Sequence, residues 1–212
     1  MVVALNPIHL VNQIKRIVVD TYQSVSGTGK EAVEELTQQA ALAAKGRSGE
    51  IQPRVYPNQI ALNLFPHIDV WMPDGSCREE WKMIQETRKI MHLPEVRIAL
   101  TTARVPVFFA HSEAVHVELT NPMSPEEARE ILRVAPGVVV QDDLSQNQYP
   151  MQLPAGGRDE VFVGRIRRNE VFDNGLSLLV VADNIRKGAA LNAVQVAEVL
   201  YQKGLLGNRG SS

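Results

Sequence analysis

The segment ARVPVFFAHSEAVHVEL (residues 103–119) places ionisable side chains on the apolar face of a strand. After its proline the side chains alternate as in a half-buried strand, so His111 and Glu113 share a face with valine, phenylalanine and leucine. A histidine shielded from water can act as an acid or a base, and Arg104 just upstream could hold a carboxylate or a phosphate through two parallel hydrogen bonds. These residues indicate an acid/base centre. The plainer interpretation is a core histidine that is satisfied by hydrogen bonds.

A turn with two glycines, VSGTGK (residues 25–30), joins a predicted strand to a predicted helix. Amides exposed at the start of a helix can hold an anion. The glycine spacing is too short for a P-loop, and spacing alone favours a tight turn that needs glycine only for its backbone. Gln23 closes the strand beside this turn, where a solvated strand end is the plainer interpretation.

Glu79 and Lys82 lie three residues apart and therefore share one face of a predicted helix. The plainer interpretation is that Ser76 and Glu79 form a capping box at the start of this helix and that Lys82 is a surface lysine. Cys77 lies near the same helix start, where the pKa of a thiol can fall. Because no histidine is nearby in the sequence, an incidental exposed thiol is favoured.

The composition argues against several classes of protein. The 212 residues include 22 basic and 24 acidic ones, which argues against nucleic acid as the main partner. No apolar run reaches the roughly 18 residues of a membrane span. The single cysteine cannot form an internal disulfide and fits a reducing cytoplasm. His111 and His116 face opposite sides of a strand, so we expect no metal site.

The predicted elements combine strands and helices without strict alternation. A helix over MVVALNPIHLVNQ opens the chain with no capping residue before it, as if its first turn had been removed. Three later helices begin with capping-box spacing, at Thr28 and Glu31, Ser76 and Glu79, and Ser124 and Glu127. Strands are predicted over KRIVVDTYQ, EVRIALTTAR, GVVVQDD, DEVFVGRIRRN and GLSLLVVADN, besides the segment after Pro106. This order predicts an α+β fold, with a mixed sheet and helices on one face.

We predict one domain over residues 1–206, with a sheet core at 15–186 and a terminal helix at 187–206. Residues 207–212 are small and polar and are expected to be a disordered tail. Two long strands, near Arg97–Arg104 and Val107–Leu119, are too apolar on both faces to be left in water. The exposed face of the sheet is therefore expected to pair with a second copy of the chain.

Five segments, in order along nearly the whole chain, resemble one family, the aspartate-semialdehyde dehydrogenases. They are TYQSVSGTGKEAVEEL, NLFPHIDVW, REEWKMIQETRKIM, RVPVFFAHSEAVHVEL and LLVVADNIRKGAALNAVQVAEVL. The resemblance implies a C-terminal domain like that of glyceraldehyde-3-phosphate dehydrogenase, in a homodimer. It also implies NADPH-dependent reduction of aspartyl-4-phosphate to aspartate semialdehyde, with release of phosphate, in the cytoplasmic synthesis of lysine, threonine and methionine.

The resemblance implies roles for five residues around the substrate. His111 resembles the general acid/base of the family, and Gln23 resembles the glutamine that orients the substrate near a cysteine thioester. Arg104 resembles the arginine that binds the substrate carboxylate. Glu79 resembles the group that takes the substrate ammonium, and Lys82 the cation that holds phosphate.

Three further residues resemble the cofactor side of the site. Ser26 and Gly27 resemble the loop beside the nicotinamide of NADP, and Asn184 resembles a residue near its carboxamide. The nucleophilic cysteine and the dinucleotide-binding domain of the family would lie upstream of Met1, and the terminal helix would pack on that domain. Cys77 does not match the nucleophile, so we expect the chain alone to be catalytically silent.

Two alternatives stay open at this stage. N-acetyl-γ-glutamyl-phosphate reductase has a similar architecture and chemistry, but its substrate nitrogen is acylated and would not need an ammonium-binding glutamate in REEWK. A non-catalytic dimerisation or regulatory module would keep the fold and lose the chemistry. The combination of Arg104, Glu79, Lys82 and His111 argues against the second alternative.

Overall fold

One six-stranded sheet runs through the computed structural model, which describes residues 1–205. The strands are β1 (Ile14–Gln23), β2 (Arg97–Arg104), β3 (His111–Leu119), β4 (Val138–Val140), β5 (Val161–Asn169) and β6 (Gly175–Ala182). The helices are α1 (Val2–Val11), α2 (Lys30–Ala44), α3 (Arg78–Ile90), α4 (Pro125–Arg133), α5 (Gln152–Ala155) and α6 (Leu191–Gln202). Short 3-10 turns lie at Val25–Thr28, Ser48–Glu50 and Leu144–Gln146.

The strands lie in the order β2-β1-β3-β6-β5-β4. The outer pairs β1–β2 and β4–β5 are parallel and the inner pairs are antiparallel, which confirms the predicted mixed sheet. Gln23 ends β1 and pairs with Arg104, which ends β2, and with His111, which begins β3. Residues in register share a face of a sheet, so these three side chains form one polar row across the strand ends.

The face that carries the polar row becomes apolar further along the strands. The buried side chains on β1 and β3 include Ile17, Val19, Val115 and Val117, each no more than 1% exposed. Helices α1 and α4 and the end of α3 pack on this face, as predicted. The short α5 packs on the opposite face instead, where Ala155 clusters with Phe162 and Val181.

Helix α2 holds the proline-rich segment that follows it. The buried Glu35 accepts hydrogen bonds from the backbone N–H groups of Arg54 and Val55, at 2.8 and 2.6 Å. Further along, the backbone of Phe65 pairs with that of Arg104 through two hydrogen bonds of 3.0 and 2.9 Å. The segment therefore runs from α2 to one end of the polar row.

The predicted capping box at Thr28 and Glu31 is wrong. Thr28 belongs to the 3-10 turn that follows β1, and α2 begins after Gly29, whose φ of 118° favours glycine. The box at Ser124 and Glu127 is confirmed, because the Ser124 side chain accepts the Glu127 N–H and the Glu127 carboxylate accepts the Ser124 N–H.

The capping box of α3 lies one residue beyond its predicted position. Cys77 is the capping residue, and its N–H donates to the Glu80 carboxylate at 2.8 Å. The same carboxylate accepts the Thr102 N–H at 2.9 Å, so it also ties α3 to β2. The Cys77 thiol is buried and lies 3.1 Å from the Thr102 hydroxyl, which excludes the exposed thiol expected from the sequence. Glu79 is not part of the cap.

The strand predicted from Val107 begins only at His111. Residues 105–110 form a loop whose carbonyls at Val107 and Phe108 accept the N–H groups of Val25 and Ser26. The loop ends at Ala110, whose φ of 67° lies in the left-handed region. The alternating side chains of this loop therefore give a strand-like sequence pattern. Its backbone, however, forms hydrogen bonds with the turn after β1 and not with a neighbouring strand.

The predicted terminal helix is present as a π-helical turn at Arg186–Ala190 followed by α6. Helix α6 buries none of its residues, and Val194, Val196 and Val199 are each about half exposed. The predicted tail at 207–212 lies outside the described residues. None of the helices in the described part is long and apolar enough to cross a membrane.

Replacing Glu80 with alanine should destabilise the chain strongly. Glu80→Ala leaves the Cys77 and Thr102 N–H groups buried without an acceptor, and we expect the free energy of unfolding to fall by about 3 kcal/mol. Urea unfolding followed by circular dichroism measures this difference. Glu86→Ala, at an exposed position on the same helix, is the control and should change the value by less than about 0.5 kcal/mol. An equal fall in the free energy of unfolding of the two variants would contradict the role of Glu80 as the acceptor for both N–H groups.

Candidate active site

A cavity of about 580 Å³ lies over the polar row. Seven of the eight candidate residues line it: Gln23, Gly27, Glu79, Lys82, Arg104, His111 and Asn184. The eighth, Ser26, lies behind it, with its hydroxyl 3.2 Å from the Asn184 side-chain oxygen. These residues come from five separate parts of the chain, so the fold alone brings them together.

His111 is held in a defined state. Its Nδ1 lies 3.0 Å from the Ser24 backbone nitrogen. Because a backbone N–H can only donate, Nδ1 accepts, and the proton of the neutral ring lies on Nε2. Burial lowers the pKa of His111 to about 4, and the positive charge of Arg104 acts in the same direction. The ring is therefore neutral at pH 7, with Nε2–H as a donor.

Arg104 is a buried cation, 6% exposed. Its Nη1 donates to the Ser24 carbonyl oxygen at 2.6 Å, and burial lowers its pKa, although an arginine stays charged at neutral pH. A Cβ on Gly27 would lie 3.0 Å from this Nη1 and 3.5 Å from His111 Nε2. Gly27 is therefore needed for close approach to both side chains, whereas Gly29 supplies the positive φ of the turn.

Glu79 and Lys82 form an ion pair in the lining of the cavity. Lys82 Nζ lies 2.7 Å from Glu79 Oε2, and this hydrogen bond raises the pKa of the lysine. The other oxygen, Glu79 Oε1, lies 3.5 Å from Gln23 Nε2. Both charged groups thus border the cavity, and the Lys82 side chain is at the same time about half exposed to solvent.

Asn184, which lines the cavity, joins three loops. Its Oδ1 lies 3.1 Å from the Ala110 nitrogen and 3.2 Å from each of the Ser24 and Ser26 hydroxyls. Sequence reasoning missed Ser24, which is fully buried and contacts His111, Arg104 and Asn184. In the sequence it is one of several small residues after a strand, and no local signal distinguishes it.

Glu113 does not join the cavity, although it shares a face with His111. It borders a smaller cavity of about 350 Å³ behind the polar row, together with α1, and its Oε2 lies 2.6 Å from the Met1 ammonium. Asp69 and Thr28, which the sequence did not single out, do border the main cavity. Among residues 1–205, no group of three or more His, Cys, Asp or Glu side chains is placed to hold a metal ion.

The charges around the cavity suit a small molecule of mixed charge. Arg104 and Lys82 can attract anionic groups, and the Glu79 carboxylate can attract an ammonium. A neutral imidazole beside them can donate a hydrogen bond to an oxygen that gains negative charge.

Residues 5–187 match the family model described as semialdehyde dehydrogenase, dimerisation domain. The chain belongs to this family. The aspartate-semialdehyde dehydrogenase of Aquifex aeolicus is 54% identical over 97% of this chain, and the one of Legionella pneumophila is 53% identical over 97%. These matches span 60% and 59% of the two relatives, so the chain covers about three fifths of their length.

Solved structures of semialdehyde dehydrogenases share the fold. Aspartate semialdehyde dehydrogenase II of Vibrio cholerae, complexed with ASA, superposes with a TM-score of 0.90 at 44% identity, over 95% of this chain and 59% of that one. The aspartate semialdehyde dehydrogenase of Candida albicans with NADP, at 22% identity, superposes with a TM-score of 0.70 over 97% of this chain and 56% of that one, and supports the fold alone. The family resemblance and the expected glyceraldehyde-3-phosphate-dehydrogenase-like fold are confirmed.

Acid should destabilise the folded chain through His111. An unfolded histidine has a pKa near 6.5, whereas the pKa of His111 in the folded chain is about 4. Between these values the unfolded chain binds more protons, so the free energy of unfolding falls as the pH drops from 6.5 to 4, by up to about 3 kcal/mol. Urea unfolding at several pH values measures this slope.

The His111→Asn variant isolates the contribution of that one ring. Its stability should fall less steeply between pH 6.5 and 4 than that of the wild-type chain. His92→Asn, at an exposed position, should keep the wild-type slope. A slope in His111→Asn equal to that of the wild type would show that His111 is not held neutral by the fold.

Proposed function

We propose that this chain is the catalytic and dimerisation half of an aspartate-semialdehyde dehydrogenase of the cytoplasm. The whole enzyme would reduce aspartyl-4-phosphate to aspartate semialdehyde and release phosphate, with NADPH as the reductant. One observation carries the proposal: a single cavity collects Gln23, Glu79, Lys82, Arg104 and His111, the five residues that the family resemblance assigns to the substrate. The name shared by relatives up to 54% identical supports it.

Arg104 is the strongest argument for an anionic substrate. No carboxylate lies within ion-pair distance of its guanidinium among residues 1–205, and its one protein hydrogen bond there is to the Ser24 carbonyl. A buried cation without a counterion is unfavourable. A substrate carboxylate would supply the missing negative charge and could bind the free edge of the guanidinium in a bidentate manner.

The substrate ammonium and phosphate would bind at other residues of the same cavity. Glu79 would accept the ammonium, and Lys82, already a cation beside it, would hold the phosphate. An N-acylated substrate has no ammonium to neutralise Glu79. The position of this carboxylate at the cavity therefore favours aspartyl phosphate over an acetylated glutamyl phosphate.

His111 would act on the reacting carbonyl group, with Gln23 beside it to orient the substrate. Its Nε2–H is the proton-bearing atom on the cavity side, so it can donate to the oxygen that gains charge. The reaction also needs a thiolate, and Cys77 does not supply it, because its thiol is buried against Thr102 outside the lining of the cavity. We infer that the nucleophile comes from sequence upstream of this chain.

Ser26, Gly27 and Asn184 would face the nicotinamide end of NADP. The glycine fits this assignment, since a Cβ there would fill the space next to Arg104 and His111. NADPH, when bound, supplies the hydride. The exposed valines of α6 would pack on the dinucleotide-binding domain, which would also hold most of the cofactor.

A chimaeric enzyme tests the proposed reaction. This chain, joined to the preceding part of the Aquifex aeolicus relative, should oxidise aspartate semialdehyde in the presence of phosphate and NADP, whereas the chain alone should not. His111→Ala should lower kcat roughly 100- to 10,000-fold and leave KM nearly unchanged. Arg104→Lys keeps the charge but loses the planar fork, so it should raise KM for aspartate semialdehyde more than KM for NADP, and Glu79→Gln should behave similarly.

Two controls accompany the chimaera. His92 is exposed, so His92→Ala should leave kcat and KM unchanged. Turnover of N-acetylglutamate semialdehyde in place of aspartate semialdehyde would favour the related reductase. A folded, dimeric chimaera with no turnover of either compound would favour a non-catalytic module.

We also propose that a second copy binds the outer face of the sheet, opposite the polar row. The sequence led us to expect an apolar surface here, which is wrong: the middle of this face carries short or polar side chains that are half-buried or exposed, among them Val18, Asp20, Ala99, Thr101, Ser112 and Ala114. Short side chains leave the sheet flat enough for another sheet to approach closely. The family to which the chain belongs is described as a dimerisation domain, which supports this assignment.

Sedimentation equilibrium at micromolar concentration should show a dimer. Ala114 lies in the middle of the outer face, between β1 and β6, so Ala114→Arg should give a monomer with unchanged circular dichroism. Ala40→Arg, on the exposed side of α2, should remain dimeric. A monomeric wild-type chain, or dimers of equal strength in both variants, would contradict the assignment.

A further inference from the structure

We propose that Asn184 and Ser24 are positioning residues that hold the His111 ring in a single tautomer and orientation. The proposal rests on the proposed function for the role of His111, but its geometry is independent of it. Neither residue needs to touch the substrate to do this. Each acts through the backbone or side chain that fixes the imidazole.

Ser24 determines which ring nitrogen carries the proton. Its N–H donates to His111 Nδ1 at 3.0 Å, and its hydroxyl lies 3.1 Å from the same nitrogen. The residue cannot move freely, because its carbonyl accepts from Arg104 at 2.6 Å and its hydroxyl lies 3.2 Å from Asn184 Oδ1. With Nδ1 occupied as an acceptor, the neutral ring presents Nε2–H to the cavity.

Asn184 determines where the ring lies. The atom that faces the Ala110 N–H at 3.1 Å must be an acceptor, so the amide orientation is fixed with Oδ1 toward that nitrogen. Ala110 has a φ of 67°, a conformation that alanine adopts reluctantly, and it directly precedes His111. The hydrogen bond from Ala110 to Asn184 therefore holds the strained residue from which the imidazole projects.

The charges around His111 come from three elements. Arg104 on β2 opposes protonation of the ring, whereas Glu113 on its own strand and Glu79 on α3 favour it, and burial outweighs them all. Loosening the ring would expose it to water and to the two carboxylates. Ser24→Ala keeps the N–H that donates to Nδ1 and removes only the hydroxyl contacts to Nδ1 and Asn184, whereas Asn184→Ala removes the acceptor that holds both Ala110 and Ser24. Either change should loosen the ring, populate both tautomers and make protonation easier, with the larger effect in Asn184→Ala.

Nitrogen-15 NMR of the imidazole rings tests the proposal on the chain as it is. Long-range proton–nitrogen correlation spectra report which ring nitrogen is protonated, and the His111 signals are those lost in His111→Asn. In the wild-type chain we expect Nδ1 unprotonated and Nε2 protonated from pH 8 down to 5. In Asn184→Ala we expect mixed tautomers and a titration midpoint that rises from about 4 toward 6.5, with a smaller change of the same kind in Ser24→Ala.

Matched variants separate positioning from stability. Asn174 lies at the other end of β6, and its side chain donates to the carbonyls of Leu119 and Thr120. Asn174→Ala should lower the melting temperature and leave His111 unchanged. Ser177→Ala should change the signals of His116, whose Nδ1 lies 2.7 Å from the Ser177 hydroxyl, and not those of His111.

Asn184→Asp is the conservative variant. It keeps an acceptor for the Ala110 N–H, so the Nε2–H tautomer should persist, while the added negative charge raises the titration midpoint. Folded Asn184→Ala and Ser24→Ala variants with wild-type His111 signals would overturn the proposal. If Asn184→Ala does not fold, Ser24→Ala and Asn184→Asp decide it. These spectra need no substrate, so their outcome is separate from turnover by the chimaera.

Discussion

The backbone pairing of Gln23 with both Arg104 and His111 is the constraint on which the rest of the site depends. A slip of one residue in either pairing would turn a whole set of side chains to the other face of the sheet. The register is set further along the two strands, away from the polar row. There Val115 and Val117 on β3 lie opposite Val19 and Ile17 on β1, and all four side chains are buried. Packing of these core side chains therefore fixes the position of the polar row, which lies several residues away on the same strands.

Burial gives the site its chemical properties, and it also destabilises the charged forms of the side chains in it. The fold removes Arg104 and His111 from water, which lowers the pKa of both. Fixed peptide groups of Ser24 partly replace the lost water, since its carbonyl accepts from the arginine and its N–H donates to the histidine. The guanidinium still lacks a counterion among the described residues, so an anionic ligand would supply the missing negative charge.

The sequence predicted most strands, the mixed sheet and seven residues that line the cavity, because these depend on local pattern or on family motifs. The cap of α3 could not be assigned locally, since Ser76 with Glu79 and Cys77 with Glu80 have the same spacing. The choice depends on the Thr102 N–H, which only the folded chain brings to Glu80. Ser24 escaped prediction for a similar reason, because its partner His111 lies 87 positions along the chain.

Ser24 also links the residues proposed for two different roles, binding of the substrate and proton donation to it. Arg104 would bind the part of the substrate that does not react, and His111 would act on the part that does. Both contact the backbone of one buried residue, and Asn184 binds the hydroxyl of that same residue. The guanidinium and the imidazole are therefore held by the same residue. In the proposed function, substrate binding and proton donation would therefore be coupled through the backbone of Ser24.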